Sequence, residues 1–266
     1  MVSSLPKATL AIIETVREKT GKGIKIETVP NLPVGLAKTK IAREGMDFHT
    51  IFLGESYTSL AGYLVAHECG HILRFFAAPE SERKVPISNE RTRRIAFAQI
   101  QKELSVLKAM IPPAALTELV EMWYHGLTHQ LTSQPADIMI ERWLHSEYPD
   151  LRDLQRKALD LIHKQTIPAL DSKVAKMTPR TIYIASMAAN YAFFKALDTF
   201  LGTHYAQPFE KEPFATTGKR LLEVLGTASG DSLVEDIRIA NSWAHVLGIT
   251  GWFEWIPYKS VSMTEQ

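Results

Sequence analysis

Apolar and polar residues along the chain follow two different periods, and the change between them divides the sequence. Residues 6–19 carry Leu10, Ile13 and Val16 at helical spacing and stop at Thr20-Gly21-Lys22-Gly23, which predicts a first helix. Ile24-Lys25-Ile26-Glu27-Thr28-Val29 alternates with period two and predicts a strand, broken by Pro30 and Pro33. A second extended stretch over 35–42, a turn at 43–47 and a strand at 48–53 complete a small hairpin-containing sheet. Beyond Ser56 no strong strand signal remains. Helical spacing instead predicts elements at 56–76, 90–110, 113–131, 135–147, 151–177, 179–201, 217–227 and 232–247. Prolines stand near several of these starts, where the missing N–H costs nothing. Pro168 is expected to kink or end the helix over 151–177. The helix over 56–76 is apolar nearly all round, which marks it as central. The pattern predicts an α+β fold, with a small N-terminal sheet packed on this helix and a mainly α-helical body after it.

Composition narrows the class. With 266 residues, 45% of them apolar, the chain can bury roughly 73% of its unfolded surface without staples. Thirty basic residues against twenty-nine acidic ones leave no field of the sort that attracts nucleic acid. Cys69 is the sole cysteine and cannot form an internal disulfide, so no oxidising compartment is required. The residues from Met1 to Lys7 lack a charged stretch followed by an apolar run, and no secretory signal is expected. The longest apolar stretches, 60–78 and 182–194, fall short of the ~20 uninterrupted residues of a membrane span. A cytoplasmic protein bound to neither membrane nor nucleic acid is the default expectation.

One motif carries chemistry. His67-Glu68-Cys69-Gly70-His71 places two histidines four residues apart on the central helix. Residues at that spacing lie about 40° apart around the axis, so both imidazoles point to one side, one turn apart. That arrangement suits two ligands of a tetrahedral zinc ion. Glu68 lies one step round the helix, beside the metal, where it can take a proton from water and return one to a leaving amine. Two histidines and a glutamate inside an apolar helix would otherwise be costly to bury.

Together with the preceding Thr50-Ile51-Phe52-Leu53-Gly54-Glu55 and the apolar residues around the motif, this segment resembles the zincin metallopeptidases, in particular the gluzincin branch. The resemblance implies an edge strand, then an active-site helix, then a carboxylate ligand on a later helix. The metzincin continuation after His71 is absent. The segment Ser133-Gln134-Pro135-Ala136-Asp137-Ile138-Met139-Ile140-Glu141-Arg142-Trp143-Leu144 is the candidate source, since Asp137 and Glu141 share one helical face among apolar neighbours. Both could approach the metal. Gluzincins often show Glu before Asp, with Glu on the metal, whereas Asp comes first here. Glu141 is the expected third ligand, because its extra methylene helps it cross the ~8–10 Å between packed helix axes. Asp137 is expected to accept a free ring N–H of His67 or His71.

The reading therefore assigns residues 1–148 to a zincin-like core and 149–266 to a helical extension packed on it. Its function would be zinc-dependent hydrolysis of peptide bonds in a peptide or protein substrate, with Glu68 as base and the strand over 48–53 pairing with substrate by edge addition. The competing readings are a zinc-binding regulatory or interaction module with little turnover, and a helical interaction protein with a fortuitous motif. Oligomeric state is left open. His125 and His129 read as an exposed or hydrogen-bonded helical pair, although one of them could stabilise an oxyanion. Tyr183 and Tyr191 read as core, with the same alternative, and Cys69 as a packed small residue.

Overall fold

The computed structural model describes residues 5–32, 35–228 and 231–261. Met1–Ser4, at the start of the segment read for a signal, and the strand breaker Pro33 lie outside the described residues. The architecture is α+β, with a small N-terminal sheet and a helical body. Helix α1 (Lys7–Thr20) ends where Gly21 adopts φ 69° and gives its N–H to the Arg17 carbonyl. A residue with a side chain would be strained there. Strands β1 (Gly23–Val29), β2 (Ala37–Lys40) and β3 (Phe48–Gly54) follow in a sheet of order β1-β3-β2. β1 runs parallel to β3 and β2 antiparallel to it.

The period-two pattern of β3 sends His49, Ile51 and Leu53 to the buried face. Ile51 and Leu53 join Ile12 and Val16 of α1 in one apolar cluster. His49 is held there by the Ala42 N–H, 3.0 Å from its Nδ1, and by the Thr20 hydroxyl, 3.1 Å from its Nε2. Burial, aided by the Lys22 charge, lowers its pKa to about 4, so this histidine is neutral and structural at neutral pH. β3 is therefore the central strand. The expectation that a peptide adds to it fails, because both of its edges are already paired, and β2 is the outer strand facing the site.

Helix α2 (Ala61–Ala77) crosses behind the sheet, its start preceded by a 3₁₀ turn over Glu55–Leu60. Strand β4 (Lys84–Ile87) comes next, then α3 (Glu90–Leu107), opened by Asn89, whose side chain accepts the Thr92 N–H in a reciprocal cap. The segments expected as two helices over 113–131 and 135–147 form one 35-residue helix, α4 (Pro113–Glu147). Pro135 has no N–H for the Leu131 carbonyl, yet packing overrides the break: Leu131, Pro135 and Ile138 are all buried. The helix expected over 151–177 becomes α5 (Arg152–Thr166) and α6 (Ser172–Met177), separated by a 3₁₀ turn at Pro168 as its chemistry demands. α7 (Arg180–Leu201), α8 (Phe214–Gly226), α9 (Leu233–Val246) and β5 (Glu254–Pro257) complete the chain. β5 pairs antiparallel with β4 in a second, two-stranded sheet. Among the described residues no helix is long and apolar enough to cross a membrane.

Two large apolar clusters organise these elements, and neither ends at residue 148. The first joins α1, the sheet and α2 to Ile140 and Leu144 of α4, and extends to Leu151 and Ala158. The second takes Ala96 and Ile100 of α3, Tyr124 and Leu131 of α4, and then Phe194, Phe209, Trp243 and Trp252. α4 belongs to both. Its Tyr124, Leu127, Leu131 and Ile138 face the second cluster, and its Ile140 and Leu144 face the first.

Gly70 lets Ile140 of α4 pack closely against α2. A Cβ built there would lie 2.8 Å from Cγ2 of Ile140, a β-branched residue that is 1% exposed and cannot move aside. Overpacking typically costs about 1–3 kcal/mol, whereas the better helix propensity of alanine returns at most about 1 kcal/mol. Gly70→Ala should therefore destabilise the protein by about 1–2 kcal/mol, read as a lowered urea midpoint with an unchanged slope. An unchanged or raised midpoint would mean that the two helices are not in contact there.

Candidate metal centre

α2 is buried on nearly every side, and His67 and His71 occupy the stripe that opens onto a cavity of about 580 Å³. Their rings stand 5.0 Å apart, one turn from each other. Across the cavity, Asp137 of α4 points one carboxylate oxygen at both. Its Oδ1 lies 3.5 Å from His67 Nε2 and 3.0 Å from His71 Nε2. The donor atoms of His67, His71 and Asp137 all fall within 4.8 Å of one another. Ligands ~2.0–2.2 Å from a tetrahedral zinc ion stand about 3.4 Å apart, so the donor set fits the ion in chemistry and in spacing.

Glu141 is not part of this triad. It is 1% exposed, and its carboxylate is already engaged on three sides. Tyr63 donates its hydroxyl to Oε1, and Gln155 donates its amide to Oε2 at 2.6 Å and to the Glu141 carbonyl at 2.9 Å. His67 Nδ1 lies 2.8 Å from Oε1, an electrostatic contact without the alignment of a full hydrogen bond. The roles expected for the two acids are thus exchanged: Asp137 faces the ring nitrogens that would bind metal, and Glu141 stands behind His67. The physical reason lies in the partners of Glu141: Tyr63 and Gln155 hold its carboxylate on the Nδ1 side of His67, away from the two Nε2 atoms.

Burial and mutual pairing shift the titration of the cluster. Burial alone would suppress the charged form of His67, but the carboxylates of Asp137 and Glu141 outweigh it and raise the pKa well above the ordinary 6.5. Burial likewise opposes the charge on Asp137, and hydrogen bonds from His67 and His71 overcome it, holding the carboxyl well below the usual range. Burial, then the neighbouring Glu141, pushes the Tyr63 hydroxyl well above its ordinary value, so it remains a donor.

Glu68 is buried beside the triad, and its Oε2 accepts the Thr39 hydroxyl of β2 at 2.7 Å. His129, expected with His125 as an exposed or hydrogen-bonded pair, is exposed and lines the same cavity. Its ring meets open space on one side, but protein surrounds enough of it for burial to lower its pKa, with the charges of His71 and Lys38 adding to the effect against Asp137. His125 is exposed and lies 3.7 Å from Glu121. Tyr191 is buried in the second apolar cluster and Tyr183 packs on Phe214, so neither tyrosine reaches the site. Cys69 is fully buried, and burial together with Glu68 pushes its thiol up to about 12. It is inert at neutral pH.

The C-terminal body closes over this cavity. Phe193 of α7, Leu233 and Asp236 of α9, and Trp255 of β5 all line it. Arg74, one turn after His71, grips Asp236 through two bonds of 2.9 and 2.6 Å and Asp231 through a third of 3.0 Å. This bidentate pair ties α2 to α9 at the cavity wall. Compared with known protein families, with curated proteins and with solved structures, the chain gives no match in any of the three.

Proposed function

We propose that the protein is a zinc-dependent peptidase, in line with its resemblance to the zincins. The observation that carries this reading is the convergence of His67 Nε2, His71 Nε2 and Asp137 Oδ1 on one point, with Glu68 beside it in the same cavity. Two imidazole nitrogens and one carboxylate oxygen are the donor set of open catalytic zinc sites. Zinc held there would lower the pKa of a water molecule and polarise a peptide carbonyl.

The residues of the chain do the rest. Glu68 takes the proton from the attacking water and delivers it to the departing amine. Thr39 holds one oxygen of Glu68, which orients the carboxylate. Glu141, itself fixed by Tyr63 and Gln155, keeps the His67 ring aligned so that Nε2 faces the site. A peptide laid along the outer edge of β2 would meet Glu68 through the strand that already supports it.

The test is elemental analysis joined to hydrolysis of a denatured protein mixture. One zinc per chain is expected, together with chelator-sensitive cleavage. His67→Ala combined with His71→Ala should abolish both. Stoichiometric zinc in the double variant, or no cleavage by zinc-loaded wild-type protein, would overturn the reading.

A further inference from the structure

The charges around the cavity are unevenly spent. Its carboxylates all have partners within the fold: Asp137 with the two histidines, Glu68 with Thr39, Glu141 with Tyr63 and Gln155, and Asp236 with Arg74. Arg74 is equally committed, to Asp236 and Asp231. Two cations remain. Lys38 of β2 and Lys84 of β4 both line the cavity, both are exposed, and among the described residues no carboxylate pairs with either. They stand on two different strands bordering one opening. The same cavity has apolar lining from Ile41, Val85, Leu233 and Trp255.

We infer that the cleft selects peptides whose apolar segment is flanked by acidic side chains, which Lys38 and Lys84 receive at its mouth. This rests on the peptidase reading for what happens to the peptide, but not for how it is chosen. Lysine suits such a role. Its flexible stem packs on an apolar wall while the ammonium follows a carboxylate in solvent. The Lys38 charge also reaches His129, which lines the same cavity. A basic peptide would meet two unpaired like charges at the opening, which discriminates by repulsion as well as by attraction.

Exposed ion pairs are individually weak and screened by salt. Two of them acting together should give roughly tenfold preference at low ionic strength. The test uses three peptides with one Ala-Leu-Phe centre and one neutral fluorophore, flanked by Glu, Gln or Lys. Binding is read by fluorescence anisotropy on zinc-loaded Glu68→Gln protein, which is used to slow turnover. The Glu-flanked peptide should bind roughly tenfold more tightly than the Gln-flanked one, and the Lys-flanked one most weakly. The differences should shrink at high salt. Lys38→Glu combined with Lys84→Glu should reverse the order, and a thermal melt of this variant checks that it folds. Equal binding, no binding of any peptide, or an order the charge reversal leaves intact would overturn the inference. Hydrolysis of the same peptides by wild-type protein tests the peptidase reading separately. Charge-reversible binding without cleavage would remove the peptidase and keep the selectivity, whereas cleavage indifferent to flanking charge would do the opposite.

Discussion

Asp137→Ala should release zinc from the protein, weakening its affinity by at least ~10²–10³-fold. Structural zinc is held by ~10–16 kcal/mol over its full ligand set, so losing one of three protein ligands should cost about 3–4 kcal/mol. Glu141→Gln should be much milder. It preserves volume and an oxygen for Tyr63 and His67, but it sets an amide N–H₂ against the Gln155 amide and so loosens the support of His67, a change that typically costs ~10–100-fold in metal affinity. Competition with a chelator of known affinity separates the two ranges. A melting curve for each metal-free variant confirms that the fold survives. Asp137 is half-buried at the cavity wall, so its truncation leaves no large void. Glu141 is buried among polar partners, so glutamine rather than alanine is the informative change there. If Glu141→Gln strips the zinc while Asp137→Ala retains it, the two acids have the opposite roles.

Both carboxylates were legible in the sequence, because two acids on one face of an apolar helix need a cationic partner. Their division of labour was not. It depends on which carboxylate finds polar partners in the fold, and Tyr63 and Gln155 hold that of Glu141 behind His67. Side-chain length alone pointed to glutamate. Tyr63 also carried a readable signal, since 63, 67 and 71 form a single stripe on α2. Gln155 interrupts the otherwise apolar spacing of Leu151, Ala158 and Leu159, which marks a polar group with a buried partner. Thr39 had no such mark. A threonine in a short strand is ordinary, and only the sheet's position over α2 brings its hydroxyl to Glu68.

The fold was legible to a similar depth. Alternation located β1, and Thr20-Gly21-Lys22-Gly23 bounded α1. Strand order is a property of pairing, which period two does not encode, so β3 read as an edge although it lies between β1 and β2. β4 and β5 escaped notice because each is four residues long and contains a proline, which no pattern rule assigns to a strand without its partner. The proline rule worked at Pro168 and not at Pro135. At Pro168 the flanking residues are only partly buried and the helix ends, whereas at Pro135 burial on both sides outweighs the lost bond.

Glu68→Gln should leave zinc in place and reduce peptide hydrolysis by ~10²–10⁴-fold, the usual contribution of a general acid–base group. The substitution keeps the side-chain volume in a site that is 9% exposed, and the amide oxygen can still accept the Thr39 hydroxyl. What it removes is the capacity to hold a proton between water and the departing amine. Glu68 lies outside the triad of His67, His71 and Asp137, so metal content should be unchanged, and elemental analysis of the variant is the control. Its effect should fall on kcat more than on KM, because the proton is needed in the transition state and not for binding. A variant that keeps its zinc and its turnover would leave Glu68 with a structural role only, as the partner of Thr39 beneath β2. A variant that loses both would place Glu68 on the metal and require the donor set to be redrawn.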